Sequence, residues 1–274
     1  MLRTDYHTHT PLCMHADGEP GEFVAAALRM GLHTYGIADH APMPPETEPF
    51  DNWRMKSSDL DIYAQWVEQA RTSARGSQLN ILCGFECDWA PELSPWIQQL
   101  RTRADYLIGS VHYIPNQGAV DDSLYANKSI TGSTEQDWLL YWQAVENLIR
   151  SGLFDIMGHV DLVKIWGRVP TGDLMAYYEP VLTALEESHM AVELNTAGWH
   201  KHCAEQYPAN AFLEQLLLRH IPIVINSDAH HPAHLSRDWE RGVALLHQLS
   251  PKGITCIQHL TISGNIPLIA YGSV

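Results

Sequence analysis

Histidine and acidic side chains stand just past the end of nearly every strand-like run in this chain: His7 and His9, His40, Glu86, His112, His159, then Asp228 and His230. Imidazoles and carboxylates are ligands for borderline and hard divalent cations. Such groups, arriving from so many separate segments, can meet only if the strands are parallel and end on one face. The pattern therefore points to a multinuclear metalloenzyme. His7-Thr-His9 follows the first run, and in an extended chain side chains two residues apart point the same way, so the pair can grip one ion. An isolated HxH is a weak signal; its recurrence with Asp39-His40, Glu86, His112, His159 and Asp228-Ala-His230 at other strand ends gives it weight.

The elements that must position these residues can be read from periodicity. Strand-like runs are expected at residues 2–6, 34–38, 80–85, 105–111, 154–157, 191–194 and 221–225. Helical patterns intervene at 22–30, 57–75, 91–102, 133–151, 172–188, 208–219 and 235–249. Gly31 and Gly152 stop the first and fourth helices, and Ser57-Ser58-Asp59 and Ser133-Thr134-Glu135 offer capping oxygens. Strand and helix alternate seven times, which predicts an α/β fold: a closed or nearly closed parallel barrel with helices outside and its site in the loops after the strands. A doubly wound open sheet would gather residues from only a few strand ends. Residues 113–132 are rich in Gly, Asn, Asp and Ser, a stretch long enough to cover a site.

Composition narrows the function classes. At 274 residues and 45% apolar content the chain can bury a large core as one domain, here taken as residues 1–274. A formal charge of −15 opposes binding to a phosphate polyanion, since no basic stripe exists to release counterions. A small substrate is favoured over a nucleic acid. The five cysteines, Cys13, Cys83, Cys87, Cys203 and Cys256, form no CxxC pair and follow no secretory leader, which suits free thiols in a reducing cytoplasm. No apolar run approaches the roughly 18 residues of a membrane span, so neither a membrane nor a nucleic acid is an expected partner.

The motifs resemble those of the polymerase and histidinol phosphatase (PHP) family. Asp5-Tyr-His-Thr-His-Thr, with Cys13-Met-His15 behind it, is similar to the family's first motif. Asp39-His40, Gly84-Phe-Glu86, Gly109-Ser-Val-His112, Gly158-His159 and Ser227-Asp-Ala-His230 are similar to its later ones, so the likeness runs to about residue 232. Ala41-Pro-Met-Pro-Pro45, Ser110-Val-His-Tyr-Ile114, Gly158-His-Val-Asp161 and Glu193-Leu-Asn-Thr196 point within the family to its histidinol-phosphate phosphatase branch.

That resemblance implies a distorted (β/α)7 barrel holding three divalent ions. It implies one ion between His7, His9, Glu86 and Asp228, a second between Glu86, His112 and His159, and a third held by His15, His40 and His230. Glu86 would bridge the first two. Asp17 is an alternative to His15. Mixed imidazole and carboxylate donors suit zinc, manganese or iron rather than calcium, and nine residues for three ions leave positions open for water and substrate, as catalytic sites require. The implied activity is hydrolysis of a small phosphate monoester, histidinol phosphate, with Glu86, Asp228 and Arg168 in the catalytic machinery.

Lys164, Arg168 and Lys201 are the expected phosphate contacts, Arg168 first because its fork matches phosphate oxygens. The branch often has a basic residue just after Asn-Thr-x-Gly, where this chain reads Asn195-Thr-Ala-Gly-Trp-His200-Lys201. Asp5 and Asp39 are expected to orient histidines, Asp161 to act beside His159, and Asp121 and Asp122 to be solvated loop acids or to meet a substrate amine. His33, His189, His220, His247 and His259 read as surface residues, Trp66, Trp138 and Trp142 as packing, and Cys13 and Cys87 as small fillers. Rival readings are a PHP phosphoesterase for another monoester or nucleotide, a proofreading exonuclease module, and a noncatalytic metal-binding domain.

Overall fold

In the computed structural model residues 2–47, 53–114, 116–250, 253–262 and 266–273 are described, with side chains for all but 256–262, 266–268 and 273. The side chains of Cys256 and His259 thus lie outside the described residues. The elements run β1 (Thr4–Asp5), α1 (Pro20–Met30), β2 (Thr34–Ile37), α2 (Leu60–Ser73), β3 (Asn80–Asp88), α3 (Ser94–Arg101), β4 (Tyr106–Ser110) and a small hairpin, β5 (Tyr113–Ile114) with β6 (Gly118–Ala119). There follow α4 (Thr134–Arg150), β7 (Ile156–Met157), α5 (Met175–Glu186), β8 (Ala191–Asn195), α6 (Asn210–Leu218), β9 (Ile223–Asn226), α7 (Trp239–Leu249), β10 (Ile254–Ile262) and β11 (Ile266–Ser273).

One sheet has the order β1-β2-β3-β4-β7-β8-β9-β11-β10. The first seven strands are parallel neighbours. Its edges meet at the C-terminal rim: Thr8 pairs with Ala229, the His9 amide donates to the Ala229 carbonyl at 2.9 Å, and the Ala229 amide to the His7 carbonyl at 3.2 Å. The curled parallel sheet expected from the alternating pattern is therefore present.

The side-chain period of two explains how a barrel interior becomes a site. Low in the barrel, Tyr6, Ala38, Leu82, Tyr106, Ile108, Ile156, Ala191 and Val224 pack together in its interior. Two residues further along the same strands stand His40 after Ala38, Ser110 after Ile108, and Glu193 and Asn195 after Ala191. Glu86 and Asp228 lie four residues beyond Leu82 and Val224. The same inward face thus turns from apolar to ligand-bearing as it rises. Gly36 and Gly84 make room for Tyr106, because a Cβ on either would fall within 2.5 Å of its phenol group. Outside the strands, the helices bury Trp138, Trp142, Tyr178 and Phe212 in the larger apolar layer.

Helix ends follow the local chemistry. The Ser133 side chain accepts from the Gln136 amide at 3.0 Å to cap α4, and Gly31 ends α1 in the left-handed region. Two features escape the alternating pattern. Strand β3 continues to Asp88, beyond the expected end at residue 85, so Glu86 lies within a strand. The β10–β11 hairpin, in a region without metal-ligand motifs, returns antiparallel to β9 and contributes Ala270 to the barrel interior.

Candidate metal centre

Glu86 stands at the middle of the rim. Its Oε2 is 2.7 Å from His40 Nδ1, 3.3 Å from His7 Nε2 and 3.8 Å from His9 Nε2, and its Oε1 is 2.8 Å from His159 Nε2 and 3.5 Å from His112 Nε2. Asp228 completes one side, with Oδ1 3.0 Å from His9 Nε2 and 3.8 Å from His7 Nε2. It sits at φ 51, a left-handed backbone that Asp tolerates better than most residues, next to the Thr8–Ala229 bridge that closes the barrel.

All nine residues expected to surround ions come together. Donor atoms lie within 4.8 Å of one another in the sets His7, His9 and Asp228; Glu86, His112 and His159; and His15, His40 and His230. Further sets join His9, His40 and Glu86, and His9, Cys13 and His230. Asp17 is 77% exposed and 3.6 Å from His231, outside these sets, so of the two alternatives His15 is the one that faces His40 and His230.

The donor chemistry fits divalent cations. His7 Nε2 is buried, faces Glu86 Oε2 at 3.3 Å and makes no hydrogen bond; an orphaned buried nitrogen of this kind is costly without a further partner. Burial alone would raise Glu86, but His40, His7, His112 and His159 hold its carboxyl well below the usual range. Burial likewise would raise Asp228, which His7, His9 and His230 hold well below. In reverse, burial would lower His9 and His112, yet Asp228 and Asp39 hold the first at about 9, and Asp88 and Glu86 the second at about 9. Burial wins at His40, pushed down to about 4, and at His230, pushed down to about 2 with help from His9.

A second ring of residues aims the first. Glu193 Oε1 is 2.7 Å from His7 Nδ1 and accepts from Asn226 Nδ2 at 2.9 Å, while its Oε2 accepts from the His159 amide at 2.8 Å. Asp39 Oδ1 lies 3.3 Å from His9 Nδ1, the orienting role expected of it, and Asp88 Oδ1 lies 2.6 Å from His112 Nδ1. Ring nitrogens held this way present the other nitrogen to the centre. Asp5 differs from expectation: it accepts from the backbone amides of His7, Ser227 and Ser236 and from the Ser227 hydroxyl, so it ties the β1 and β9 ends together rather than turning a ring. Glu193 and Asn195 belonged to a recognised motif string, but nothing in spacing marked Glu193 as a partner of His7. Asp88 was hidden by the early predicted end of β3.

The described side-chain contacts of Lys164 and Arg168, two of the expected phosphate contacts, are with residues outside the cluster. Lys164 is 2% exposed; its Nζ is 2.9 Å from Asp161, 2.8 Å from Glu205 and donates to the Gln206 carbonyl at 2.7 Å. Two carboxylates neutralise it, which corrects its reading as an open phosphate contact and gives Asp161 a structural partner. Lys164→Ala is then expected to strand a buried Asp161 charge, cost about 3 kcal/mol and lower the melting temperature by about 6 °C or more. Thermal denaturation checks this, and a raised KM at unchanged melting temperature would restore the substrate role. Arg168 Nη2 donates to Thr134 Oγ1 at 2.9 Å, leaving its charge without a carboxylate among the described contacts, and Lys201 is exposed after β8. Trp199 stands where the branch often has a basic residue, and the following His200 is bound to Asp238 at 2.6 Å.

Of the remaining readings, Asp122 caps a turn through the Leu124 amide and Asp121 is exposed. His33, His189, His220 and His247 are exposed, while Cys13 and Cys87 are buried thiols that burial pushes up. Arg237 went unread: its Nε is buried without a partner, and its charge is felt by Asp228 and His234.

Residues 5–197 match the PHP domain. A "Probable histidinol-phosphatase" of Deinococcus radiodurans is 34% identical over 255 residues, covering 92% of this chain and 95% of that protein. A protein of the same description from Schizosaccharomyces pombe is 23% identical over 92% of this chain and 87% of its own. The fold is similar to that of histidinol phosphate phosphatase from Lactococcus lactis, solved with zinc, L-histidinol and phosphate, at a TM-score of 0.71 and 22% identity over 90% of this chain and 93% of that one. A domain match over most of the length, joined to a relative of this identity, establishes that the chain belongs to the PHP domain family.

Proposed function

We propose that this protein is a metal-dependent phosphomonoesterase that hydrolyses L-histidinol phosphate to L-histidinol and phosphate in histidine biosynthesis. The observation that carries the reading is the convergence of seven imidazoles and two carboxylates around Glu86 at the rim. The Deinococcus relative supports the substrate. His7, His9, Glu86 and Asp228 would hold one ion, Glu86, His112 and His159 a second, and His15, His40 and His230 a third. The donor set admits zinc, manganese or iron, and the zinc in the Lactococcus structure favours the first.

When bound, divalent ions supply an acidified water and positive charge against the phosphoryl oxygens. The chain's own residues do the rest. Glu193, Asp39 and Asp88 keep the rings of His7, His9 and His112 aimed, so little reorganisation is left for the reaction itself. Arg168 and Lys201, with Arg237, are the rim cations proposed to meet phosphate. The water oxygen bonds to phosphorus as the phosphorus–alkoxide bond breaks, and the alcohol leaves with a proton. No covalent phosphoenzyme forms, so one atom of solvent oxygen enters each phosphate.

The net charge of −15 disfavours a nucleic-acid substrate. The free thiols of Cys13, Cys83, Cys87 and Cys203 support a cytoplasmic enzyme, and among the described residues no helix is long and apolar enough to cross a membrane. The test is phosphate release from a panel of monoesters at matched concentration. Histidinol phosphate is expected to exceed the others in kcat/KM by about tenfold or more, the discrimination of about 1.4 kcal/mol. A different preferred monoester would retain the phosphatase and replace its substrate; degradation of single-stranded DNA without monoester turnover would sink the reading.

A further inference from the structure

Arg54 lies in the connection between β2 and α2, outside every motif that marks the metal centre, yet it is only 3% exposed. A guanidinium is buried at high cost unless it is paired. Here Nη1 donates to Asp88 Oδ2 at 2.7 Å, and the other oxygen of the same carboxylate, Oδ1, is 2.6 Å from His112 Nδ1. His112 Nε2 is thereby turned toward Glu86 Oε1, 3.5 Å away. Arg54 Nη2 also donates to the Tyr113 hydroxyl at 3.4 Å, gripping the residue next to His112. Its guanidinium lies 3.8 Å from the centre of the Trp53 ring, and that ring stands edge-on to His40 at 5.4 Å and to His112 at 5.8 Å between ring centres. The Trp53–Arg54 pair thus braces candidate ligands from two separate strand ends.

We propose that Arg54 is a positioning residue for the ion between Glu86, His112 and His159, acting through Asp88 to keep the His112 proton on Nδ1 and Nε2 open to the cation. The Trp53 ring carries the guanidinium over its face and meets His40 and His112 edge-on. Without Arg54 the Asp88 carboxylate loses the charged hydrogen bond to Oδ2 that holds its far oxygen, and is free to turn from His112. The inference rests on the metal reading above.

Arg54→Met and Arg54→Lys test it in the full-length protein loaded with zinc. Two quantities are read: zinc retained per chain against a graded chelator, and the nitrogen-15 shifts of the His112 ring, which report the tautomer. Arg54→Met is expected to weaken the most loosely held zinc by about 10–100-fold, the usual effect of removing a ligand's orienting partner, and to erase the Nδ1-protonated signature of His112. Arg54→Lys is expected to recover part of both, since it restores the charge without the fork. If Arg54→Met fails to fold, Arg54→Lys with Asp88→Asn carries the same comparison, each with weakened zinc at a melting temperature near that of the parent. Unchanged zinc affinity and an unchanged His112 tautomer in the folded variants would overturn the proposal. A parent protein that binds no zinc would instead overturn the metal reading itself.

Discussion

Replacing Glu86 by Gln is expected to lower kcat/KM for the phosphate monoester by about 10³-fold or more. Five imidazoles lie within 2.7–3.8 Å of this one carboxylate, and among the described residues no other acid lies this near ring nitrogens on both the His7–His9 side and the His112–His159 side. Gln preserves volume and one oxygen but removes the charge that would hold two cations near each other in the proposed centre. Charge stabilisation by metal is worth several kcal/mol in such reactions, and each 1.36 kcal/mol is tenfold in rate. Steady-state kinetics with metal analysis of the same preparation checks it. Activity within tenfold of the parent, at full metal content, would contradict the bridging role.

Stripping metal with a chelator is expected to abolish turnover, and zinc, manganese or iron to restore it. Proton counting sharpens this prediction. In the metal-free chain His9 and His112 are held at about 9, so both are protonated at pH 7, whereas His40 at about 4 and His230 at about 2 are already neutral. Imidazole must be neutral to ligate, so loading the site at pH 7 should release about two protons or more. Calorimetry in buffers of different ionisation heat reads that number. Affinity should then fall as pH drops below about 9.

The metal-free protein should behave in the opposite sense. Raised histidines contribute stability that is complete below their ordinary value of about 6.5 and is lost as pH rises through about 9. Glu86 and Asp228, held low, contribute stability that is present above the ordinary carboxylate range and is lost as pH falls through their folded values. Zinc uptake without proton release, or tighter binding in acid, would contradict this assignment.

The site was legible in the sequence because parallel strands impose a simple rule: ligands sit at the ends of inward-facing rows. Ala191, Glu193 and Asn195, or Ile108, Ser110 and His112, obey it by alternation alone. What the rule could not supply was pairing across strands. That Glu193 holds His7, that Asp88 holds His112, and that Lys164 is quenched by Asp161 and Glu205 are facts of side-chain geometry between segments far apart in the chain. Lys164 looked available because its position at a strand end is correct; its burial was invisible. The β10–β11 hairpin escaped for a different reason, since it carries none of the candidate ligands and enters only to fill the barrel floor with Ala270.

The most direct measurement is anomalous X-ray diffraction from crystals of the zinc-loaded protein. The account predicts three peaks at the rim, near Asp228, near His159 and near His15, each about 2.0–2.2 Å from the imidazole and carboxylate atoms that surround it. A rim without peaks, or zinc held only by surface residues away from Glu86, would contradict it.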